Sequence, residues 1–164
     1  MTTPKYALME IETKMLVNNA LLPDLSALPC TRIADRYLDG GRLRLRAMTD
    51  AATGAVEYKL GKKYGGDSPY AQPIVNVYLS AEEFAALEVL PGCVLRKRRY
   101  RYEHRGQRFS IDVFDGAHAE LVLCEAEAPS LEALCALRFP AFVLSDVTAE
   151  PKYSGWNLAE TGKS

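Results

Sequence analysis

Charged side chains recur at every second position along several segments of this chain. Near the N-terminus, Glu10, Glu12 and Lys14 alternate with neighbours that are mostly apolar. Glu125 and Glu127 repeat this spacing close to the other end. Because successive side chains of a β-strand point to opposite faces, each set occupies one face of its strand. Carboxylate oxygens are the ligands that hard divalent cations prefer, so these glutamates are candidate metal ligands.

A second alternating set is basic. Arg44 and Arg46 share one face of a segment with strict alternation, and Lys97 and Arg99 share one face of another. Asp112 lies in the middle of a further apolar segment. The planar fork of arginine can bind two phosphate oxygens at once. Basic and acidic faces together describe one class of ligand, a polyphosphate bound to a divalent metal ion. The alternation alone also fits a half-exposed sheet whose charges form ion pairs.

The alternation predicts a chain made mainly of strands, which we place at residues 6–17, 31–38, 42–46, 55–63, 74–79, 94–103, 108–114 and 120–128. Ser80 and Glu83 form a capping box that begins a helix ended by Pro91-Gly92, and a second helix fits residues 130–137. The tail at 146–159 is expected to end in a short helix. This pattern indicates an α+β fold on an antiparallel sheet or barrel, and closure of the barrel would turn the charged faces inward.

Composition limits the class of protein. The 164 residues fit one domain, 1–164, and the 20 basic and 21 acidic residues give a net charge of −1, so charge suggests neither a nucleic-acid nor a membrane partner. The N-terminus has no apolar segment typical of a signal peptide. The four cysteines form no C-x-x-C pair, which favours idle or buried thiols in a reducing cytosol. We therefore expect a cytoplasmic protein.

The order of these motifs resembles that of a known family. Residues 10–14 read E-x-E-x-K, the signature of the CYTH superfamily, the triphosphate tunnel metalloenzymes. In the family's order follow an R-x-R strand at 44–46, a strand lysine, a K-x-R strand at 97–99, an aspartate strand at 111–114 and an E-x-E strand at 125–127. The segments at 146–148 and 152–159 are similar to the family's C-terminal motif. The resemblance covers about residues 5 to 160.

The resemblance implies a closed antiparallel eight-stranded β-barrel with a few packed helices, and a site that uses Mg²⁺ or Mn²⁺. For the strand lysine, Lys59, Lys62 and Lys63 compete, and we favour Lys62 from its spacing before Gly65-Gly66. One departure is the stretch at 68–76, which has no alternating acidic residues. The implied roles are catalytic for Glu10, Glu12, Lys14 and Tyr37, substrate-binding for Arg44, Arg46, Lys62, Lys97, Arg99 and Lys152, and metal-binding for Glu10, Glu12, Asp112, Glu125 and Glu127.

The expected activity is metal-dependent hydrolysis of a triphosphate. The candidates are tripolyphosphate, ATP and thiamine triphosphate, and we favour inorganic tripolyphosphate. One alternative is an adenylyl cyclase that forms cyclic AMP and pyrophosphate, and another is a polyphosphate- or nucleotide-binding protein without turnover. The basic run at 96–102, interleaved with tyrosines, keeps RNA binding as a third alternative. The expected partners are the small-molecule triphosphate, no nucleic acid and no membrane, with a homodimer left open.

Overall fold

The computed structural model describes residues 4–162, so the first three and last two residues of the predicted domain lie outside the described part. The described residues form nine strands: β1 Leu8–Val17, β2 Cys30–Leu38, β3 Leu43–Asp50, β4 Val56–Lys63, β5 Ala71–Leu79, β6 Gly92–His104, β7 Gln107–Phe114, β8 Val122–Glu127 and β9 Val143–Asp146. Their three α-helices are α1 Ala81–Glu88, α2 Leu131–Cys135 and α3 Gly155–Thr161.

The sheet closes on itself. Its strands follow the order β5-β4-β3-β2-β6-β7-β8-β1, and β5 pairs again with β1. Every pairing is antiparallel. The predicted closed antiparallel eight-stranded barrel of the α+β class is therefore confirmed. The ninth strand, β9, was not predicted, because its four residues are too short to show an alternating pattern. It pairs with the end of β1.

Strand register decides which side chains enter the barrel. Residues directly opposite each other in a pair of strands share one face of the sheet. Asp35 of β2 is opposite Arg46 of β3, and Arg99 of β6 is opposite Asp112 of β7. Since each strand alternates, the remaining inward positions follow by steps of two. The charged face of nearly every strand therefore points into the barrel, as the sequence pattern predicts.

The apolar faces of β1, β7 and β8 point outward, where α2 and the segment before β9 cover them. Phe109 and Ile111 of β7 are buried there beside Met15 of β1 and Cys124 of β8, with Phe142 packed above them. Burial of such side chains is the main favourable term in folding. A barrel with charged side chains inside is thus stable because its hydrophobic core lies between the strands and the segments that pack on their outer faces.

A second apolar cluster closes one end of the barrel beneath α3. Leu158 and Ala159 of α3 pack against Leu95 of β6 and Phe114 of β7. His118 holds the helix from the other side, with its Nε2 atom 2.8 Å from the carbonyl oxygen of Leu158. The C-terminal segment therefore covers that end of the barrel.

Helix α1 covers the outer face of β3, β4 and β5. The predicted capping box at its start is present: Glu83 N–H donates to Ser80 Oγ at 3.2 Å, and Ser80 N–H donates to Glu83 Oε2 at 2.7 Å. Phe84 packs on Tyr58 with ring centroids 4.4 Å apart, which attaches the helix to β4. Within residues 4–162, no helix has the length and apolar composition needed to cross a membrane.

The outward core gives a stability prediction. Ile111 is fully buried, so Ile111→Ala removes apolar contacts and leaves a cavity. We expect a loss of about 2–5 kcal/mol in the free energy of unfolding. Val77→Ala, at a side chain that is 51% exposed, should change it by less than about 0.5 kcal/mol. Chemical denaturation of both variants checks this, and equal losses would contradict the placement of the core.

Candidate functional site

A cavity of about 620 Å³ occupies the barrel interior. All but two of the residues that the sequence singled out line it, and the exceptions are Asp112 and Lys152. The lining carries both signs of charge. Charges buried at this depth are tolerated only where they are paired or bind a ligand of opposite charge. The partners of each charged group therefore indicate what the cavity can bind.

Three carboxylates meet on one side of the cavity. Glu12 is opposite Glu127 across β1 and β8, and Glu10 lies two residues further along the same face. Each offers an oxygen within 4.8 Å of the others. Burial raises the pKa of Glu127, and the negative charges of Glu10 and Glu12 raise it further. This set of hard oxygen donors with excess negative charge fits Mg²⁺ or Mn²⁺.

Lys63 lies between two of these carboxylates. Its ammonium contacts Glu10 and is 2.7 Å from Oε1 of Glu12. Burial lowers the pKa of Lys63, but the charges of Glu12 and Glu10 outweigh burial and hold that pKa above its usual range. Lys62 is opposite Leu43, on the outward face of β4, and its amine lies 5.0 Å from the ring centroid of Tyr64. The structure therefore corrects our preference: Lys63 enters the cavity, whereas Lys62 lies at its rim.

Asp35 anchors the arginines of β3. Arg46 binds it with two hydrogen bonds, Nε to Oδ1 at 2.5 Å and Nη2 to Oδ2 at 2.7 Å. Nε of Arg44 is 3.8 Å from the same Oδ1 atom. Asp35 is only 1% exposed. Burial alone would raise the pKa of Asp35, but the guanidinium of Arg46, with a smaller effect from Arg44, lowers it to about 2.

Asp112 anchors the basic side chains of β6, as Asp35 anchors those of β3. Its carboxylate accepts from Nε and Nη2 of Arg99 at 2.7 Å each and contacts the ammonium of Lys97. Asp112 is 0% exposed and does not line the cavity. Basic side chains contact both of its oxygens, and the predicted role of Asp112 as a metal ligand stays a prediction. The carboxylate fixes the direction of two basic groups.

Glu125 stands apart from the other three glutamates. It lines the cavity, but its carboxylate contacts Arg99 and lies 3.6 Å from the amine of Lys14. Burial would raise the pKa of Glu125, yet Lys97, Arg99 and Lys14 hold it well below the usual range. This geometry makes Glu125 a partner of basic groups, and its predicted role as a metal ligand stays a prediction.

Arg44 has an unsatisfied donor. Its Nε atom is buried, and no acceptor among residues 4–162 completes a hydrogen bond to it. Gly61 makes room beside the guanidinium, since a Cβ at that position would lie 2.7 Å from Oδ1 of Asn76 and 3.6 Å from Nη2 of Arg44. An unpaired buried donor costs about 1–3 kcal/mol, so this position favours an anion from solution.

The C-terminal segment supplies the closed end of the cavity. Tyr153 accepts from the amine of Lys14 through its carbonyl oxygen at 3.2 Å. Trp156 packs edge-to-face on Tyr37, with ring centroids 5.6 Å apart. Burial raises the pKa of Tyr37 to about 12, helped by the charge of Asp35, so its hydroxyl stays protonated and can donate. Gly155 is required here because a Cβ would lie 1.9 Å from that hydroxyl.

Lys152 lies outside this arrangement. Its side chain is 68% exposed and pairs with Oε2 of Glu150 at 3.1 Å. Lys152 does not line the cavity in this structure, and its predicted contact with the phosphates stays a prediction. The motif's position along the chain was informative, but the three-residue 3₁₀ helix Pro151–Tyr153 turns the lysine outward.

Comparison with known proteins shows which family this chain belongs to. No family model matches the chain. The crystal structure of the hypothetical protein NE1496 is 30% identical, has a TM-score of 0.61, and is matched over 92% of this chain and 97% of that one. The chain belongs to the CYTH superfamily. A second crystal structure, of the inorganic triphosphatase NE1496, is 28% identical with a TM-score of 0.60, and covers 92% and 93% of the two chains.

Two other relatives are more distant. The inorganic triphosphatase of Acetivibrio thermocellus is 31% identical over 67 residues, so the match spans only 42% of that curated relative and 41% of this chain. A Bacillus halodurans protein proposed to be an adenylate cyclase is 18% identical with a TM-score of 0.50, over 77% of this chain and 83% of that one. The second match shows the shared CYTH fold alone.

Sequence reasoning did not identify Asp35 in this CYTH site. The available signal was its spacing from Tyr37, two residues away on the same face of a predicted strand. Asp35 was missed because a single aspartate in a strand gives no motif. Lys63 was named only as a competitor of Lys62, and neighbouring lysines can be separated only by strand register.

The low pKa of Asp35 gives a pH prediction. Since its folded pKa of about 2 lies below the unfolded value of about 3.9, the carboxylate stabilises the fold above pH ~4. This contribution, about 2 kcal/mol, is lost as pH falls through the folded pKa. We expect the Asp35 carboxyl signal in ¹³C NMR to titrate near pH 2. A midpoint at or above about 3.9 would contradict the proposed ion pair.

Proposed function

We propose that this protein hydrolyses a triphosphate, with inorganic tripolyphosphate as the favoured substrate, in the presence of Mg²⁺ or Mn²⁺. The observation that carries the proposal is the unpaired, buried Nε donor of Arg44 in a cavity whose other side holds the Glu10, Glu12 and Glu127 carboxylates. The first feature favours a phosphate oxygen and the second a divalent cation. The similarity to the inorganic triphosphatase NE1496 along nearly the whole chain supports the same activity.

The basic side chains would hold the phosphate chain in place. Enzymes that transfer phosphoryl groups act mainly by positioning and charge neutralisation. Arg46 and Arg99 are already fixed by bidentate pairs with Asp35 and Asp112. Their remaining N–H groups, with those of Arg44, can donate to phosphate oxygens without reorganising. Lys14, Lys97 and the hydroxyl of Tyr37 complete the set of donors that we assign to substrate.

The carboxylates would act at the reacting end. Glu10, Glu12 and Glu127 would hold the cation, which supplies positive charge to the phosphate oxygens. Hydrolysis needs a water molecule to attack the terminal phosphorus while the bond from that phosphorus to the bridging oxygen breaks. Pyrophosphate then leaves with the bond's electron pair. A carboxylate of this cluster would take the water's proton.

An organic triphosphate is the second candidate, through hydrolysis or through cyclisation of ATP. The observation in its favour is the ring-lined end of the cavity, where Tyr37, Phe114, Tyr153 and Trp156 all contribute. Tyr37 and Trp156 already pack on each other, and Phe114 is 2% exposed within the cluster beneath α3. These rings hold α3 against the barrel and are therefore not offered to a nucleotide base for stacking. This arrangement favours tripolyphosphate over an organic triphosphate.

The deciding experiment is phosphorus NMR of the protein with tripolyphosphate, ATP or thiamine triphosphate, each with Mg²⁺ or Mn²⁺. We expect tripolyphosphate to be converted to pyrophosphate and phosphate. Glu12→Gln should abolish this conversion, because it removes a charge from the carboxylate cluster. Cyclic AMP and pyrophosphate from ATP would establish the cyclase instead. Signals that broaden without any product would show a binding protein.

A second prediction separates the arginine of the cavity from the lysine of the tail. Arg44→Ala removes a charge-assisted donor, so kcat/KM for tripolyphosphate should fall about 10- to 100-fold. Lys152→Ala should leave it within about twofold, since Lys152 is solvent-exposed and pairs only with Glu150. Steady-state phosphate release measures both. A loss in Lys152→Ala equal to that in Arg44→Ala would show that the tail contacts the substrate.

A further inference from the structure

The ammonium of Lys63 occupies two of the carboxylates that a divalent cation would need as ligands. Its ammonium contacts Glu10 and lies 2.7 Å from Oε1 of Glu12, and these two residues form the cluster with Glu127. A divalent ion held by the same oxygens would lie within a few ångströms of the ammonium, where two positive charges repel strongly. Lys63 and the cation therefore compete for Glu10 and Glu12.

Three other basic groups of the cavity have partners away from Glu10 and Glu12. Arg46 is paired with Asp35, and Arg99 is paired with Asp112. Lys14 lies between Glu125 and the carbonyl oxygen of Tyr153. In the part of the chain that the structure describes, no other basic side chain comes within salt-bridge distance of Glu10 or Glu12. Competition with the cation is thus a property of one residue.

The side chain of Lys63 also has space to move to a second partner. Its side chain is 34% exposed, and the lysine stem is flexible and carries three rotatable donors. It shares the inner face of β4 with Gly61, the position that leaves space beside the guanidinium of Arg44. An anion bound at Arg44 would lie along the same strand. That anion offers the ammonium a new partner when the carboxylates are lost.

We propose that Lys63 is an exchangeable counter-ion that couples cation binding to triphosphate binding. Without a cation its ammonium neutralises Glu10 and Glu12, and with the cation present it moves to a phosphate group of the substrate. This inference rests on the proposed function. Triphosphate removes the competitor of the cation, so it raises cation affinity. By linkage the cation raises triphosphate affinity by the same factor.

The test is calorimetric titration of the 164-residue protein with Mn²⁺ in the absence of phosphate. We expect Lys63→Gln to bind Mn²⁺ at least about fivefold more tightly than the wild type, because the competing ammonium is gone. Lys62→Gln, the matched neighbour at the rim, should bind Mn²⁺ as the wild type does. Lys63→Arg, which keeps the charge, should also stay close to wild type.

A second titration with nonhydrolysable imidotriphosphate measures the coupling itself. The analogue should raise the Mn²⁺ affinity of the wild type, and the increase should be smaller in Lys63→Gln. If Lys63→Gln fails to fold, ¹³C NMR of the wild-type lysine side chains replaces it. Saturating Mg²⁺ should then shift the Lys63 signal and leave Lys62 unchanged.

The outcomes separate this inference from the proposed function. Wild-type protein that binds Mn²⁺ while Lys63→Gln binds it equally or more weakly overturns the counter-ion role and leaves hydrolysis standing. A Lys63 signal that does not respond to saturating Mg²⁺ overturns it in the same way. No Mn²⁺ binding by the wild type, even with imidotriphosphate, overturns both the inference and the metal-dependent function.

Discussion

Charge pairing inside the barrel is the constraint on which the rest of this structure depends. A closed sheet with an apolar exterior cover has to place its polar faces inward, where bare charges are costly. Asp35 and Asp112 resolve this by binding Arg46, Arg99 and Lys97 from behind. The two aspartates leave the basic groups facing the cavity in fixed directions. The same pairs that make the interior tolerable therefore also preorganise it for an anion.

The two sides of the cavity differ in how completely their charges are satisfied. On the basic side, each aspartate holds a bidentate pair, and the donor of Arg44 is the group left over. On the acidic side, three carboxylates lie together, and the ammonium of Lys63 contacts only two of them, Glu10 and Glu12. The basic side thus lacks an anion and the acidic side lacks positive charge. A polyphosphate with its metal ion would supply both the anion and the positive charge.

Alternation with period two predicted an antiparallel sheet or barrel with charged faces, and the resemblance to the CYTH superfamily supplied the closed barrel that turns those faces inward. Glu10, Glu12 and Lys14 reach the cavity because strand geometry gives them no other choice. The sequence could not separate Lys62 from Lys63, because a one-residue change of register exchanges the two faces. Nor could it show that Asp112 is enclosed by basic groups, since that depends on contacts between separate strands. The direction of the Lys152 side chain was also not readable from the sequence, because a short 3₁₀ turn sets it.

The chain's connectivity sets the order in which this site can be assembled. β1 pairs with β8 and β9, so Glu12 meets Glu127 only after the chain has been made as far as β8. During synthesis, β2, β3 and β4 can form hairpins in sequence and β5 can pair with the start of β1, whereas the later part of β1 must wait for β8. Such long-range closure is intrinsically slow. The carboxylate cluster is thus a late product of folding, and a ribosome-bound chain that lacks β8 would have the ligands of β1 without their partner.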